Sequence, residues 1–418
     1  MPKHGKDQPK IIVIGLGFVG LACFAGFKSL GYEVYGIEKD KEKTREIKSL
    51  SGTWLEPGVI EALKSEKKFD EFILNDINQL PTLDDVIYLV CVGTPQDDSG
   101  KADLEILNFT INEILESYVG TNVEIAIKST VPPGTTMQLE EKFSNLILKS
   151  KEKKISLITN PEFLREGHAF EDFIEPDRII LGSNSSSVSM LGTVYKDNFD
   201  NIFVTNTNSA EFCKYYSNCA LAVMISFANE IRLLGDEIGG IDSRIVFEQF
   251  GKDRRWQSNL MKSYFWPGIG FGGYCLPKDT KALANLYPEE NQINNMLQSA
   301  IDTNDKLVEH FAKLIFDKFQ NHRRVVLCGS SFKVGSNDIR VSKTLELVLA
   351  LQRYKMLNVA LLDELAAQEI QRGLPSIELI KEPQILPTDA VVIVLKDQSY
   401  TKLASRTDKQ NLLNIPLL

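Results

Sequence analysis

The sequence of 418 residues predicts an α/β architecture in which two doubly wound parallel-sheet domains are joined by a long central helix. Three observations predict it. Residues 10–38 read as strand, glycine turn, helix, strand and acid. Several later strands are almost continuously apolar, as strands covered on both faces are. Residues 324–363 repeat the layout of residues 10–38 in a weaker form.

Lys10–Ile14 is a short β-rich run, followed by Gly15, Leu16, Gly17, Phe18, Val19 and Gly20. An apolar helical stretch continues to about Leu30, and residues 32–37 (YEVYGI) form a second strand ending at Glu38. A GxGxxG run alone is a weak signal, but between a strand and a helix, with an acid closing the next strand, it is a Rossmann-like dinucleotide fingerprint. Gly15 permits the tight turn, Gly17 lets a pyrophosphate approach the helix N-terminus, and Gly20 lets helix and strand pack closely. Glu38 would accept hydrogen bonds from ribose hydroxyls and repel a 2′-phosphate, which favours NAD over NADP.

Further strands are expected at 86–92 (VIYLVCV), 123–128, 156–159 and 178–181. Three of them end in polar tripeptides: Gly93-Thr94-Pro95, Ser129-Thr130-Val131 and Asn160-Pro161-Glu162. Ligand crevices of open α/β sheets lie at the carboxyl ends of strands, so these groups belong to one candidate site. From about Glu211 the pattern becomes helical and stays so for many turns, with Lys214 and Asn218 four apart on one face. A lysine on a helix is ordinarily solvated, yet Phe212, Cys213, Tyr215 and Tyr216 leave Lys214 little exposed face. The second α/β unit opens at 324–329 (RVVLCG), passes through a helix at 343–354 and returns at 357–363. Gly329-Ser330-Ser331-Phe332-Lys333 replaces the glycine fingerprint there, so no dinucleotide is required. A last strand at 390–395 completes this sheet, and residues 411–418 carry no signal.

A net charge of −9 disfavours nucleic acid and anionic membranes as partners. The six cysteines (23, 91, 213, 219, 275 and 328) form no CxxC pair, which places reduced thiols in the cytoplasm. Four histidines without HExxH or a Cys/His cluster give no metal site. Lys3, Lys6 and Lys10 before an apolar stretch imitate a signal peptide, but the glycines and following strand argue against one. No stretch is long and uncharged enough to span a membrane. One thiol stands apart, Cys275 in the run Gly270-Phe271-Gly272-Gly273-Tyr274-Cys275-Leu276-Pro277-Lys278-Asp279. A free cysteine is ordinarily a small buried hydrophobe. Here glycines allow close approach and Lys278 favours thiolate.

With these motifs in order, the chain resembles the UDP-glucose/GDP-mannose dehydrogenase family of nucleotide-sugar 6-dehydrogenases. The resemblance rests on GLGFVGL (15–21), VGTPQDDSGKADL (92–104), KSTVPPGTT (128–136) and NPEFLREG (160–167). It continues through the Lys214/Asn218 helix with SFANEI (226–231), GFGGYCLPKDTKAL (270–283) and FKVGSNDIRVS (332–342). It implies an NAD-binding domain over 1–207, a central helical dimerisation region carrying the cysteine over 208–305, and a nucleotide-sugar-binding domain over 306–418. It also implies oxidation of a sugar C6 alcohol to a carboxylate with two NAD per cycle, no metal, and a homodimer.

The roles it implies are these. Cys275 is the covalent nucleophile, and Lys214 and Asn218 stabilise charge on the reacting oxygen. Asp279 and Thr130 activate water, while Glu162 is the general acid/base. Cofactor contacts fall to Gly15, Gly17, Phe18, Val19, Gly20, Glu38, Lys43, Gly93, Thr94, Pro95, Thr130, Glu166, Lys278 and Arg340. Substrate contacts fall to Glu162, Phe163, Leu164, Arg165, Lys214, Asn218, Arg255, Tyr264, Phe271, Gly272 and Lys333. The chain departs from the family pattern at Tyr274, where serine is common, and in the segment 253–268, where Arg254 and Arg255 compete for one role. The basic motif expected after Leu395 is also missing. The GGYCLPKDTK form points to UDP-glucose, with GDP-mannose or a UDP-N-acetylhexosamine as alternatives. A sensor that binds without catalysis should have lost Cys275, Lys214 or Asp279, and a two-electron alcohol dehydrogenase would leave the thiol without a purpose.

Overall fold

The computed structural model describes residues 8–97, 99–117, 120–149, 154–184, 189–256, 259–287, 295–356 and 358–417. Lys3, Lys6, Asp98, Leu357, Leu418 and positions 257–258 of the segment discussed above lie outside the described residues. The chain forms two compact units, Met1–Tyr216 and Ser217–Leu418.

The first unit is built on an eight-stranded sheet: β1 (Lys10–Ile14), β2 (Val34–Ile37), β3 (Ile73–Leu74), β4 (Asp85–Val90), β5 (Asn122–Ile127), β6 (Lys154–Thr159), β7 (Ile179–Gly182) and β8 (Ile202–Thr205). Their spatial order is β3-β2-β1-β4-β5-β6-β7-β8. The order reverses at β1, whose neighbours β2 and β4 lie on opposite sides, which is where an α/β sheet opens its ligand crevice. The sheet departs from the all-parallel expectation at one place: β7 runs antiparallel to β6. The edge strands β3, of two residues, and β8, half-exposed, are not among the strands expected from the sequence. The helix Phe18–Ser29 buries Phe24 and Phe27 completely, and it crosses the helix Ala169–Ile174 so closely that a Cβ on Gly26 would lie 2.0 Å from the Phe173 ring.

The second unit carries a five-stranded parallel sheet: β9 (Val325–Cys328), β10 (Val359–Leu362), β11 (Glu378–Leu379), β12 (Ala390–Ile393) and β13 (Leu412–Asn414). Its order is β11-β10-β9-β12-β13, so it too reverses at its first strand. The C-terminal run is not featureless. Leu412, Leu413 and Asn414 pair with β12 as an edge strand, and Ile415 is fully buried. That run lacks the period-two alternation that marks a half-exposed strand, so its pattern is silent. Phe311, Ile315 and Phe319, on one face of the helix Met296–Phe319, pack with Leu327, Leu347 and Leu361 to form this unit's core. The helix Thr207–Ile238 runs through the boundary between the units.

Candidate active site

In the first unit the glycine turn has the shape its sequence demands. Gly15 sits at φ 85°, and a Cβ there would meet the Cys91 carbonyl at 3.0 Å. A Cβ on Gly20 would lie 1.9 Å from the Gly15 carbonyl oxygen, so no side chain fits. Above Gly17 the space is open, with only the Lys43 Nζ at 3.9 Å from the built Cβ. Gly17 gives the helix no side-chain cap, leaving its first N–H groups for an anion. Phe18 and Val19 form the half-buried first turn. The Glu38 carboxylate accepts from the Leu16 N–H at 3.1 Å, the Asp40 N–H at 3.1 Å and Lys43 Nζ at 2.9 Å. This cradle fits the pyrophosphate and ribose of a dinucleotide.

The neighbouring strand ends are cross-tied. Thr94 Oγ1 donates to the Thr130 carbonyl at 2.8 Å, joining the loop of Gly93 and Pro95 to that of Thr130. The Thr130 loop is fixed in turn by Glu211 on the long helix, a residue the sequence did not single out. Its buried carboxylate accepts from the Gly134 N–H at 2.7 Å, the Thr136 N–H at 2.8 Å and Thr136 Oγ1 at 2.6 Å. Burial raises the Glu211 carboxyl above its ordinary range, against the pull of those donors. Glu162 and Lys214, 7% and 6% exposed, form an ion pair of 2.7 Å. The second Glu162 oxygen accepts from the Leu164 N–H at 2.7 Å. The Phe163 ring has two cations near it, Arg178 at 4.0 Å and Lys214 at 5.6 Å from its centroid. Arg165 is half-exposed and bound to Asp172, and Glu166 is half-buried beside it.

In the second unit Cys275 is exposed and begins the helix Cys275–Ala284, whose N-terminal end favours a thiolate. Four residues on, Asp279 is fully buried, with one oxygen on Lys278 Nζ at 2.5 Å and the other on Asn218 Nδ2 at 2.6 Å. Cys219, buried behind it, donates to the Asp279 carbonyl at 3.7 Å, and burial pushes its thiol up to about 12. The glycines before Cys275 are filled from the protein side. A Cβ on Gly272 would come 2.3 Å from the Val341 carbonyl, and one on Gly273 would lie 2.9 Å from the Phe332 ring. The Gly273 N–H donates to the Arg340 carbonyl at 3.1 Å, and Val341 adopts φ 50°, strained for a β-branched residue. Phe271 is clamped by Asn304, which accepts from its N–H at 2.7 Å and donates to its carbonyl at 3.1 Å. The Tyr274 ring has Arg340 at 5.1 Å and Lys278 at 5.6 Å from its centroid.

A cavity of about 450 Å³ opens beside this loop at the carboxyl ends of β9 and β12, the point where the second sheet reverses. Gly270, Gly272, Trp266, Ser331 and Lys396 are among its walls. Lys396 Nζ stands 3.7 Å from the Trp266 ring centroid, and burial lowers its pKa. Of the expected substrate contacts only Gly272 lines the cavity. Tyr264 and Phe271 lie next to lining residues in sequence, and Lys333 follows the lining Phe332. Arg255 is exposed and bound to Asp253 of its own turn. Trp266 and Lys396 escaped the sequence reading because neither belongs to a glycine, acid or nucleophile motif. Among the described residues no group of His, Cys, Asp and Glu could hold a metal, and no helix is long and apolar enough to cross a membrane.

Comparison with known proteins gives a consistent result. Residues 9–199 match the NAD-binding domain, and residues 208–306 the central domain, of the UDP-glucose/GDP-mannose dehydrogenase family. The chain is 32% identical over 351 residues to the UDP-glucose 6-dehydrogenase TuaD of Bacillus subtilis, covering 82% of this chain and 74% of that protein. It is 30% identical over 426 residues to the UDP-glucose 6-dehydrogenase of Rickettsia prowazekii, covering 98% and 94%. The structure of a UDP-glucose dehydrogenase from Pyrobaculum islandicum superposes with a TM-score of 0.86 at 30% identity, covering 100% of this chain and 96% of that one.

Proposed function

The chain belongs to the UDP-glucose/GDP-mannose dehydrogenase family of NAD-dependent nucleotide-sugar dehydrogenases, and from that premise we propose that it oxidises the C6 alcohol of UDP-glucose to the carboxylate through Cys275. NAD, when bound, supplies the hydride acceptor, twice per cycle. Glu162 accepts the C6 hydroxyl proton, directly or through water, and Lys214 stabilises the alkoxide. The Cys275 thiolate then adds to the C6 aldehyde to give a thiohemiacetal, whose oxidation leaves a thioester. Water held by Asp279 and Thr130 cleaves it, freeing the carboxylate and the thiol. Only a good nucleophile that is also a leaving group serves both halves, and an exposed cysteine at a helix N-terminus is such a group.

The roles given to Gly15, Gly17, Gly20, Glu38 and Lys43 toward the cofactor rest on the fit of their cradle. The cavity bearing Trp266 and Lys396 suits a planar base with phosphates. The division into 1–207, 208–305 and 306–418 is not needed for this reading; a cofactor part, a central part and a C-terminal part are. A homodimer is supported by Phe227, Leu234 and Ile238, which are 53%, 51% and 64% exposed on one face of the long helix. Six free thiols agree with a cytoplasmic setting.

The single observation that carries the proposal is Cys275 heading its helix with Asp279 buried behind it. NADH formed per sugar consumed, across a panel of UDP- and GDP-sugars, tests it: two is expected, and highest turnover with UDP-glucose. One NADH per sugar would reduce the enzyme to a simple alcohol dehydrogenase. Cys275→Ser should bind both ligands yet form no acid, and full steady-state acid production in that variant would sink the covalent route.

A further inference from the structure

A second buried lysine has no place in the reaction as described. Lys128 directly follows β5 and is 6% exposed, and no carboxylate stands within ion-pair distance of it among the described residues. Its Nζ donates instead to Asn160 Oδ1 at 3.0 Å. Asn160 is itself fully engaged: the same oxygen accepts from the Tyr195 hydroxyl at 2.8 Å, and Nδ2 donates to the Ile180 carbonyl at 2.9 Å. A buried ammonium with no carboxylate in direct contact costs stability, and an apolar side chain of similar length would not. Its retention therefore calls for a reason at the site.

That reason lies two residues beyond Asn160. Asn160-Pro161-Glu162 is a rigid turn, because Pro161 fixes its own φ and restricts Asn160. Lys128, Asn160 and Glu162 line one small cavity of about 70 Å³, with Phe163, Arg178 and Tyr195. Around Lys128 stand the Cys23 and Cys91 thiols, the Tyr195 hydroxyl and Glu162. Burial opposes the Lys128 charge, but its surroundings, with Glu162 the anion among them, raise its pKa. Glu162 is thus faced by Lys214 in direct contact and by Lys128 from behind its own turn.

We propose that Lys128 is a positioning residue for Glu162, holding the Asn160-Pro161-Glu162 turn in register from inside the sheet so that the carboxylate meets Lys214. It rests on the functional reading above, but only for the role of Glu162. Lys214 can then exchange its contact with Glu162 for one with substrate during the cycle, while Lys128, anchored on Asn160, stays where it is. A neutral side chain of the same length would leave the Tyr195 hydroxyl to hold Asn160 Oδ1 without the ammonium, and Glu162 with one cation instead of two.

The test is a cycle of Lys128→Met and Glu162→Gln in the full-length enzyme. Lys128→Met should keep NADH affinity within about twofold and lower kcat about 100-fold. In the Glu162→Gln background the same substitution should cost less than about fivefold, because the residue through which it acts is gone. Lys128→Arg should recover at least about tenfold of the loss. Hydrogen exchange gives a reading independent of turnover: the Leu164 N–H, bonded to Glu162, should lose protection in Lys128→Met, while the 15–20 turn keeps its own. Equal losses in both backgrounds, or an unchanged Leu164 N–H, overturn the proposal. If the unmodified enzyme oxidises no nucleotide sugar the functional reading fails instead, and hydrogen exchange still decides the part played by Lys128.

Discussion

After β1 the chain turns at Gly15, φ 85°, and enters a helix at Phe18; after β9 it turns at Gly329, φ 95°, and does not enter a helix until Lys343. In both units the acid that closes the next strand reaches back to the turn. Glu38 takes the Leu16 N–H, and Asp363 takes the Ser330 N–H at 2.8 Å, the Ser331 N–H at 3.2 Å and Ser330 Oγ at 3.0 Å. The other Asp363 oxygen accepts from the Ala366 N–H at 3.0 Å. Glu38 keeps a partly open carboxylate paired with a partly exposed lysine, whereas Asp363 is buried and spent. The two turns therefore share a scaffold and divide the work. The first offers bare helix N–H groups and an acceptor to a dinucleotide. The second has spent both on itself, and its long loop supplies Phe332, Arg340 and Val341 to support Cys275.

The largest effect should come from closing the first turn. Gly20→Val places atoms inside the Gly15 carbonyl and should abolish NADH binding while costing about 3 kcal/mol or more in denaturant unfolding. Gly329→Ala, whose Cβ would lie 2.7 Å from Leu395 Cγ and 2.8 Å from its Cβ at a positive φ, should cost about 1–3 kcal/mol and leave NADH affinity intact. Loss of NADH binding in Gly329→Ala would break the division of labour.

A smaller effect should come from exchanging the two acids. Asp363→Ser strips several buried N–H groups of their acceptor and should destabilise by about 2–4 kcal/mol, with little change in cofactor choice. Glu38→Ser should barely alter stability, yet it frees Lys43 beside the ribose and should shift preference toward NADP by about 100-fold in kcat/KM. Unchanged discrimination in Glu38→Ser would mean that the acid serves the turn alone, as Asp363 does.

The smallest effect is alkaline. Burial holds the Cys219 thiol protonated up to about 12 in the folded second unit, against an ordinary 9.0. Below pH 9 both folded and unfolded states are protonated and the stabilisation is complete. Between pH 9 and 12 only the unfolded thiol ionises, so stability falls as pH rises, by roughly 1.4 kcal/mol per pH unit at most. Cys219→Ala should flatten that part of a stability–pH curve, and an unaltered slope would remove Cys219 as its source.

Much of this was legible because the chemistry uses residues with few substitutes. Gly15, Gly20 and Glu38 are forced by backbone geometry and reach, so residues 10–38 reveal their own fold. Cys275, Lys214, Asn218 and Asp279 were singled out through motif order, and in the structure Asn218 bonds Asp279 and Lys214 pairs with Glu162. The supports behind them were not legible. Glu211 reaches the Thr130 loop across 75 positions of sequence, and Lys128 meets Asn160 across 32, so neither leaves a local pattern. β13 was missed for a different reason: an edge strand facing partly into solvent needs neither a continuous apolar run nor a turn signal. Tyr274, the departure beside Cys275, has two cations near its ring, and the contact with Arg340, far off in sequence, was not legible.

Gly272 and Gly273 look in sequence like a hinge. Their built Cβ positions fall inside Val341 and Phe332, and Gly273 is tied to Arg340, so the pair is cast against the loop behind it. A cast loop does not sweep. On the proposed route the thiol would act from a fixed seat, both when it meets the aldehyde and when its thioester is cleaved. Any opening that admits sugar or releases acid must be borne by other segments, and a perturbation of the 332–342 loop is inherited by Cys275 even when no ligand is touched.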